Sequence, residues 1–283
     1  MPTIAELLAR PVLTALEMRL LLAHALGHPR PAHAHAWLIT HDRDPVDTEA
    51  FSRFETLLAR RRAGEPIAYL IGHREFYGRD FATTPAALIP RPETERLVEE
   101  ALALLPLERP MRVLDVGTGS GCIAITLALE RPLAEVTALD LSEDALALAK
   151  RNAQALGAAG VRFVQSDWLA ALQPNERFDL IVSNPPYLAV GDPHLLQGDL
   201  RFEPWFALTD RADGLSAYRV LSAQAPSRLV PGGVLMVEHG YDQGEAVRSL
   251  FAAAGLTQIV TVRDLAGLER VTCGRFFPHN PGP

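Results

Sequence analysis

From about residue 96 onward, short apolar runs alternate with longer stretches of helical periodicity, and no other feature limits the fold so strongly. The runs at 112–116, 135–139, 161–165, 178–183, 233–238, 257–262 and 270–277 have the length of strands. The stretches at 96–105, 123–129, 142–156, 217–229 and 243–254 have the length and spacing of helices, with Ser142 placed as an N-cap. A chain that alternates in this way buries its apolar runs by forming a mostly parallel sheet with helices on both faces. Only a short connection separates the last two strands, so that pair should run antiparallel. The expected class is therefore α/β, with a seven-stranded domain over residues 96–283.

The first part of the chain reads differently. Leu16, Met18, Leu20, Leu21, Leu22 and Ala25 form an apolar segment that Gly27 can end. Phe51, Phe54, Leu57 and Leu58 recur at helical spacing over 48–62, behind Asp47 or Thr48 as cap. A helical segment is also expected from Thr3 to Leu16. No strand pattern interrupts residues 1–74, which are expected to form a small helical, partner-recognising domain. Residues 75–95 follow as a connector. There, Glu75-Phe76-Tyr77-Gly78-Arg79-Asp80-Phe81 suits a β-hairpin, and Ile89-Pro90-Arg91-Pro92 forces an extended path.

Composition excludes several classes. At 283 residues, 48% of them apolar, the chain can bury a sizeable core. It contains no uninterrupted apolar run long enough for a membrane helix and no secretion-signal pattern, so a cytoplasmic location and no membrane partner are expected. Cys122 and Cys273 form no CxxC pair, which argues against disulfide scaffolding and thiolate metal sites. Five histidines, His24, His28, His33, His35 and His41, cluster without a carboxylate or cysteine pattern, so they read as surface residues and no metal is expected. A net charge of −7 repels a phosphate backbone, so direct nucleic-acid binding is not expected.

Two loops carry chemistry. Asp115-Val116-Gly117-Thr118-Gly119-Ser120-Gly121 ends one strand and opens a helix, the context in which a glycine turn lets backbone approach a ligand. Asp140 ends the next strand, 19 positions after Gly121, and can accept the hydroxyls of a ribose. The spacing is GxGxG, and Cys122 stands where a dinucleotide site would carry its third glycine, which favours a nucleoside without phosphates, such as S-adenosylmethionine. After the third strand, Asp167 can accept from an adenine amino group and Trp168 can pack on the ring. The alternatives are a helix-capping Asp and a core Trp.

The second loop is Asn184-Pro185-Pro186-Tyr187, directly after the 178–183 run. Consecutive prolines lack N–H donors and stop a strand ladder, leaving a stiff turn rich in acceptors. The Asn184 side-chain oxygen and the Pro185 carbonyl can each accept one N–H of a planar –NH2 group, while Tyr187 stacks on it. Such a grip turns a delocalised nitrogen lone pair toward a methyl donor, so the two loops together imply methyl transfer to nitrogen, governed mainly by positioning. No strong general base is required, and none is evident.

This combination resembles the class I S-adenosylmethionine-dependent methyltransferases, and more closely the release factor glutamine methyltransferases (the PrmC/HemK family). The resemblance rests on Glu65-Pro66-Ile67-Ala68-Tyr69, Gly72 with Glu75 to Gly78, Ile89 to Glu95, Val113 to Gly121 and Asn184 to Tyr187. Arg201-Phe202-Glu203-Pro204, Asp213-Gly214-Leu215, Glu238-His239-Gly240 and Asp264-Leu265-Ala266-Gly267 also match. It implies a Rossmann-like class I methyltransferase domain that converts S-adenosyl-L-methionine to S-adenosyl-L-homocysteine. The methyl group goes to the side-chain N5 of the glutamine in the Gly-Gly-Gln tip of class 1 peptide chain release factors. By that resemblance Gly117, Thr118, Gly119, Ser120, Gly121, Asp140, Asp167, Trp168 and Asn184 contact the cofactor. Asn184, Pro185, Pro186 and Tyr187 hold the glutamine, with Asn184, Pro185 and Tyr187 catalytic, and a monomer is expected.

Rival readings are methylation of an exocyclic base amine in DNA or RNA, a nicotinamide-dependent oxidoreductase, and a binding module with a vestigial cofactor site. The acidic charge and the absence of a recognition insert oppose the first. The GxGxG spacing and the double proline oppose the second. Cofactor binding without turnover would mark the third. Arg60-Arg61-Arg62 is expected to be a solvated helix end, and Cys122 a small packed side chain.

Overall fold

The structure is a computed structural model that describes residues 1–29 and 31–278. The last five positions of the domain expected over 96–283 lie outside the described residues. The chain divides into two compact units, one of residues 1–73 and 197–202, the other of residues 74–196 and 203–283.

The first unit contains α1 (Ile4–Leu8), α2 (Ala15–Ala25), α3 (His35–Thr40), α4 (Thr48–Arg62) and α5 (Ile67–Ile71). The segment expected as one helix from Thr3 to Leu16 is broken after Leu8. Pro11 cannot continue an α-helix, and a second helix starts at Ala15. Each start has its own capping box, Thr3 with Glu6 and Thr14 with Glu17. Asp47 caps α4 by accepting from the Ala50 N–H at 2.8 Å. Met18, Leu21, Leu22, Phe54 and Leu58 are buried together as this unit's own core. Arg61 is not the solvated residue expected of a helix end. Its guanidinium donates to Glu17 at 2.8 Å and to Asp199 at 2.7 Å, with 19% of the side chain exposed. Among the clustered histidines, His41 stacks on Trp37 with ring centroids 4.5 Å apart.

The second unit opens on a hairpin of β1 (His73–Phe76) and β2 (Arg79–Ala82). Tyr77 (φ 51°) and Gly78 (φ 72°) both take left-handed backbone, the geometry of the two-residue turn that matches strand twist. The hairpin, expected as a connector between domains, lies with residues 74–196 in this unit. Phe76 and Phe81 pack edge-on into its core, and the buried Asn152 receives the Ala82 N–H at 2.9 Å. The order continues with α6 (Glu95–Leu104), β3 (Arg112–Val116), α7 (Cys122–Glu130), β4 (Glu135–Asp140), α8 (Glu143–Leu156), β5 (Arg162–Gln165) and β6 (Phe178–Ser183). After β6 come α9 (Trp205–Leu208), α10 (Ser216–Gln224), β7 (Leu229–Glu238), α11 (Gly244–Ala253), β8 (Leu256–Arg263) and β9 (Glu269–Phe276).

The seven-stranded sheet has the order β5-β4-β3-β6-β7-β9-β8. Pairing is parallel from β5 through β7, and β9 runs antiparallel to both β7 and β8. Two apolar clusters cover the sheet, one around Leu97, Val98, Ile125 and Val182, the other around Ile181, Tyr218, Leu235 and Phe251. The helix expected over 217–229 ends early, because Pro226 breaks it into a short 3₁₀ turn and leaves Leu229 free to start β7. Between the Phe178–Leu229 and Leu180–Val234 pairs the register shifts, so Pro231, Gly232 and Gly233 form an irregularity inside the strand and not a turn before it.

Candidate active site

The strand order reverses between β3 and β6, where open α/β sheets form a crevice at the carboxyl ends of the strands. Val116 ends β3 and pairs with Ser183, which ends β6. The two loops that carry chemistry in the sequence, starting at Gly117 and Asn184, are therefore neighbours. The Ser183 hydroxyl donates to the Val116 carbonyl at 2.7 Å and ties them together. A cleft of about 200 Å³ opens there, with walls from the glycine turn, the ends of β4 and β5, the Asn184–Pro186 turn and the Pro90–Thr94 segment.

The glycine turn is held by its own strand and by β4. The Gly117 and Thr118 N–H groups both donate to the Leu139 carbonyl, at 2.9 and 2.8 Å. Asp115 accepts from the Thr118 hydroxyl at 2.6 Å and from the Ala124 N–H at 3.2 Å, bracing the turn against the first turn of α7. Its carboxyl is completely buried, which pushes its pKa up to about 7. Gly117 has φ 75°, and a Cβ there would meet nothing within 4 Å, so its bare backbone faces open space on the cleft wall. Gly121 does something else. A Cβ on it would lie 2.7 Å from Ile125 Cδ1 and 3.1 Å from Ala149 Cβ. Gly121 is absent from the cleft lining, and its bareness lets α7 approach α8.

Asp140 lines the cleft, but neither of its oxygens is uncommitted. Oδ2 accepts from the Gly119 N–H at 2.8 Å and Oδ1 from the Ser142 N–H at 2.9 Å. An ionised carboxylate offers about four lone-pair positions, so both oxygens keep capacity for a ligand hydroxyl. Burial raises this carboxyl above its ordinary pKa, and the backbone donors pull it back. Asp167 and Trp168 both reach the cleft. Asp167 does not cap the following turn, because Ser166 Oγ takes the Ala171 N–H at 3.0 Å. Trp168 has φ 49°, a left-handed conformation that costs a non-glycine residue ~1 kcal/mol or more. Its ring packs partly on the core cluster of Leu169 and Leu172.

At the end of β6, the Asn184 amide Nδ2 donates to the Thr94 hydroxyl at 3.0 Å. Its Oδ1 is buried and has no hydrogen-bond partner. An unpaired buried acceptor costs roughly 1–3 kcal/mol, so this oxygen keeps free capacity to accept a hydrogen bond on the cleft wall. Pro185 and Pro186 line the cleft beside it. Tyr187 does not: its ring packs against the cluster around Tyr218 and Val237, where burial pushes the phenol up to about 12. Gln243 holds the turn from behind, donating to the Tyr187 carbonyl at 2.9 Å and the Gly214 carbonyl at 3.2 Å. A Cβ on Gly214 would come within 2.4 Å of that Tyr187 oxygen, so this packing requires glycine.

The cleft presents a bare glycine backbone, an acidic residue on the next strand and one unpartnered amide oxygen, acceptor groups whose chemistry fits the ribose and amino groups of S-adenosyl-L-methionine. Cys122 also lies on the cleft wall, but burial pushes its thiol up to about 12, consistent with a packed side chain.

Residues 107–260 match the family described as a methyltransferase domain, and residues 6–72 match the PrmC N-terminal domain. The release factor glutamine methyltransferase of Bordetella pertussis is 54% identical over 274 residues, covering 97% of this chain and 99% of its own length. The chain belongs to the release factor glutamine methyltransferase family. The Burkholderia pseudomallei member is 53% identical over 278 residues, with 96% of each chain covered. A solved methyltransferase from Pyrococcus furiosus shares the fold, with a TM-score of 0.55 and 18% identity, over 79% of this chain and all of that one.

Several residues on this family member's cleft escape motif reading. Arg91 and Thr94 come from the Pro-rich segment, which was read only as an extended path. Glu203 anchors that segment, accepting from the Ile89 N–H at 3.0 Å and pairing with Arg91 while wholly buried. Glu238, which ends β7, is buried, and burial pushes its carboxyl up to about 7. The Arg201-Phe202-Glu203-Pro204 and Glu238-His239-Gly240 stretches signalled these carboxylates without revealing what they touch. Leu141 and Phe206 stand at the rim as exposed apolar groups, at 66% and 50% of full exposure.

Proposed function

We propose that the protein transfers a methyl group from S-adenosyl-L-methionine to the side-chain N5 of the glutamine in the Gly-Gly-Gln tip of class 1 peptide chain release factors. The observation that carries this reading is the buried, unpartnered Oδ1 of Asn184 beside the bare glycine turn. When bound, S-adenosyl-L-methionine supplies a methyl group activated by a positively charged sulfur. The backbone of Gly117 and Gly119 leaves space for it, Asp140 accepts from its ribose, and Asp167 and Trp168 flank the cleft where its base would lie.

Asn184 Oδ1 and the Pro185 carbonyl then each accept one N–H of the substrate carboxamide. These two hydrogen bonds orient a nitrogen whose lone pair is otherwise delocalised into its carbonyl. The bound cofactor would supply the methyl to this nitrogen and leave as S-adenosyl-L-homocysteine, and the proton lost by the nitrogen would pass to water or a weak acceptor. Tyr187, packed behind the turn, supports Pro185 and Pro186 and does not stack on the substrate in this conformation. Leu141 and Phe206 present exposed apolar side chains at the rim of the cleft. Among the described residues no helix is long and apolar enough to cross a membrane.

The test is label transfer from methyl-labelled cofactor to purified release factor, wild type and with the tip glutamine changed to alanine. Label on the first and not on the second is expected. Label on neither, with transfer to a nucleic acid, would move the protein to base methylation.

A further inference from the structure

The Asn184–Tyr187 turn leaves the sheet with few groups of its own to hold it. The β6 ladder ends at Ser183, paired with Val237. Pro185 and Pro186 have their φ fixed by their rings, but neither has an N–H with which to anchor the turn. The shape of the turn is therefore set from its two ends. The far end is the peptide plane between Tyr187 and Leu188, and it is held on both edges. The Leu188 N–H donates to the Leu208 carbonyl at 3.0 Å, and the Tyr187 carbonyl accepts from Gln243 Nε2 at 2.9 Å.

Both ends of the Gln243 amide are committed. Nε2 also donates to the Gly214 carbonyl at 3.2 Å, and Oε1 accepts from the Gly240 N–H at 3.0 Å. Two carbonyls demand the NH2 end and one N–H demands the oxygen, so this orientation is settled by partners whose roles cannot change. The Gln243 N–H returns a bond to the Gly240 carbonyl, also at 3.0 Å. Gln243 is the N-cap residue of α11, yet its side chain makes no capping bond to that helix. The amide is turned instead toward three loops: the turn after β6, the loop before α10 and Gly240 after β7. Two glycines leave room for it. A Cβ on Gly214 would lie 2.9 Å from Nε2, and one on Gly240 3.1 Å from Oε1.

We propose that Gln243 is a positioning residue of the methyl-transfer site, a donor clamp that fixes the Tyr187–Leu188 peptide plane and through it the direction of the Pro185 carbonyl that receives the substrate –NH2. This inference rests on the glutamine-methylation reading above. Gln243 is absent from the cleft lining, so it acts only through the turn. Methyl transfer of this kind is governed mainly by positioning, and a displacement of about 1 Å at the reacting groups can cost on the order of 10²-fold in rate.

The test uses Gln243→Glu and Gln243→Met. At about pH 8 the introduced glutamate is ionised: it still accepts from Gly240 but donates nothing to the two carbonyls, whereas methionine keeps the length and does neither. With labelled cofactor and release factor, both variants are expected to lose about tenfold or more in kcat, while the cofactor Kd and the release-factor KM stay within about threefold. A second readout needs no turnover. In isotope-labelled, cofactor-free protein the Leu188 N–H should exchange about tenfold faster in both variants than in wild type. The Thr118 N–H, which the Leu139 carbonyl holds at 2.8 Å in the glycine turn, should exchange as before. If the methionine variant fails to fold, the glutamate variant carries the test alone. Wild-type kcat in Gln243→Glu, a loss carried by Kd or KM instead of kcat, unchanged exchange at Leu188, or equal acceleration at Thr118 overturns the proposal. If wild-type enzyme fails to label release factor but the Leu188 difference is seen, the glutamine reading fails and the clamp stands.

Discussion

At the scale of single residues, the cleft is lined by polar atoms held by specific partners, while the Oδ1 of Asn184 has none. Asn184→Ala removes the unpartnered acceptor without touching the glycine turn. We expect cofactor affinity within a few-fold of wild type and a fall in single-turnover rate of about 10²-fold or more, comparable to the loss of one oriented hydrogen-bonding group in other transition-state sites. Rapid-quench measurement of label transfer checks this, and a rate near wild type removes Asn184 from the chemistry. Asp140→Ala is expected to weaken cofactor binding by about 1.5–3 kcal/mol through lost charged hydrogen bonds. Part of that loss comes from freeing the Gly119 and Ser142 N–H groups that Asp140 also receives. Calorimetry on Asp140→Asn, which keeps acceptor geometry at one oxygen, separates the two contributions. Residue type and spacing pointed to Asn184, Asp140, Gly117 and Gly119, and the fold brings these four to one cleft. The contact of Thr94 with Asn184 was not legible, since a threonine and an asparagine 90 positions apart carry no local signal of it.

At the scale of elements, boundaries follow local rules wherever the local rule is strong. Ser142 caps α8, Asp47 caps α4, and β3 and β6 begin and end where their apolar runs do. The misread boundaries share a cause: proline and glycine act in a context that only tertiary pairing supplies. The strand expected from Gly233 starts at Leu229 and takes in Pro231 and Gly232, because β6 pairs on both sides of the irregularity. The hairpin gains its place from Asn152 on α8, whose amide joins the Ala82 N–H, the Ala82 carbonyl and the Ser120 carbonyl. Asn152→Ala therefore leaves one buried and two partly buried backbone groups short of a partner, and should lower stability by about 2–4 kcal/mol. Denaturant unfolding measures it, and a change below about 0.5 kcal/mol would show that the hairpin docks by its aromatic side chains alone.

At the scale of the whole molecule, two buried carboxyls give the sheet unit a distinctive pH response. Burial pushes both Asp115 and Glu238 up to about 7, well above the value near 4 of an unfolded carboxyl. The folded state therefore binds protons more tightly than the unfolded chain at these two sites. Their stabilising contribution is fully present below the unfolded pKa and is lost as pH rises through the folded one. The Tm of cofactor-free protein should fall between about pH 5 and pH 8, and Asp115→Asn should flatten the profile; a profile that rises across this window excludes the effect. What the sequence determined by itself was what period and local chemistry encode: alternating elements, caps, the glycine turn, the double proline after a buried strand, and through these the fold class and the reaction type. Tertiary structure alone decided the rest. The strand order places Gly117 beside Asn184, Arg61 turns inward to Glu17 and Asp199, and Tyr187 packs away from the cleft. The contact of Asn184 with Thr94 depends in the same way on a partner far along the chain. Such pairings cost loop-closure entropy that only the assembled core repays, so no window of sequence around either partner contains them.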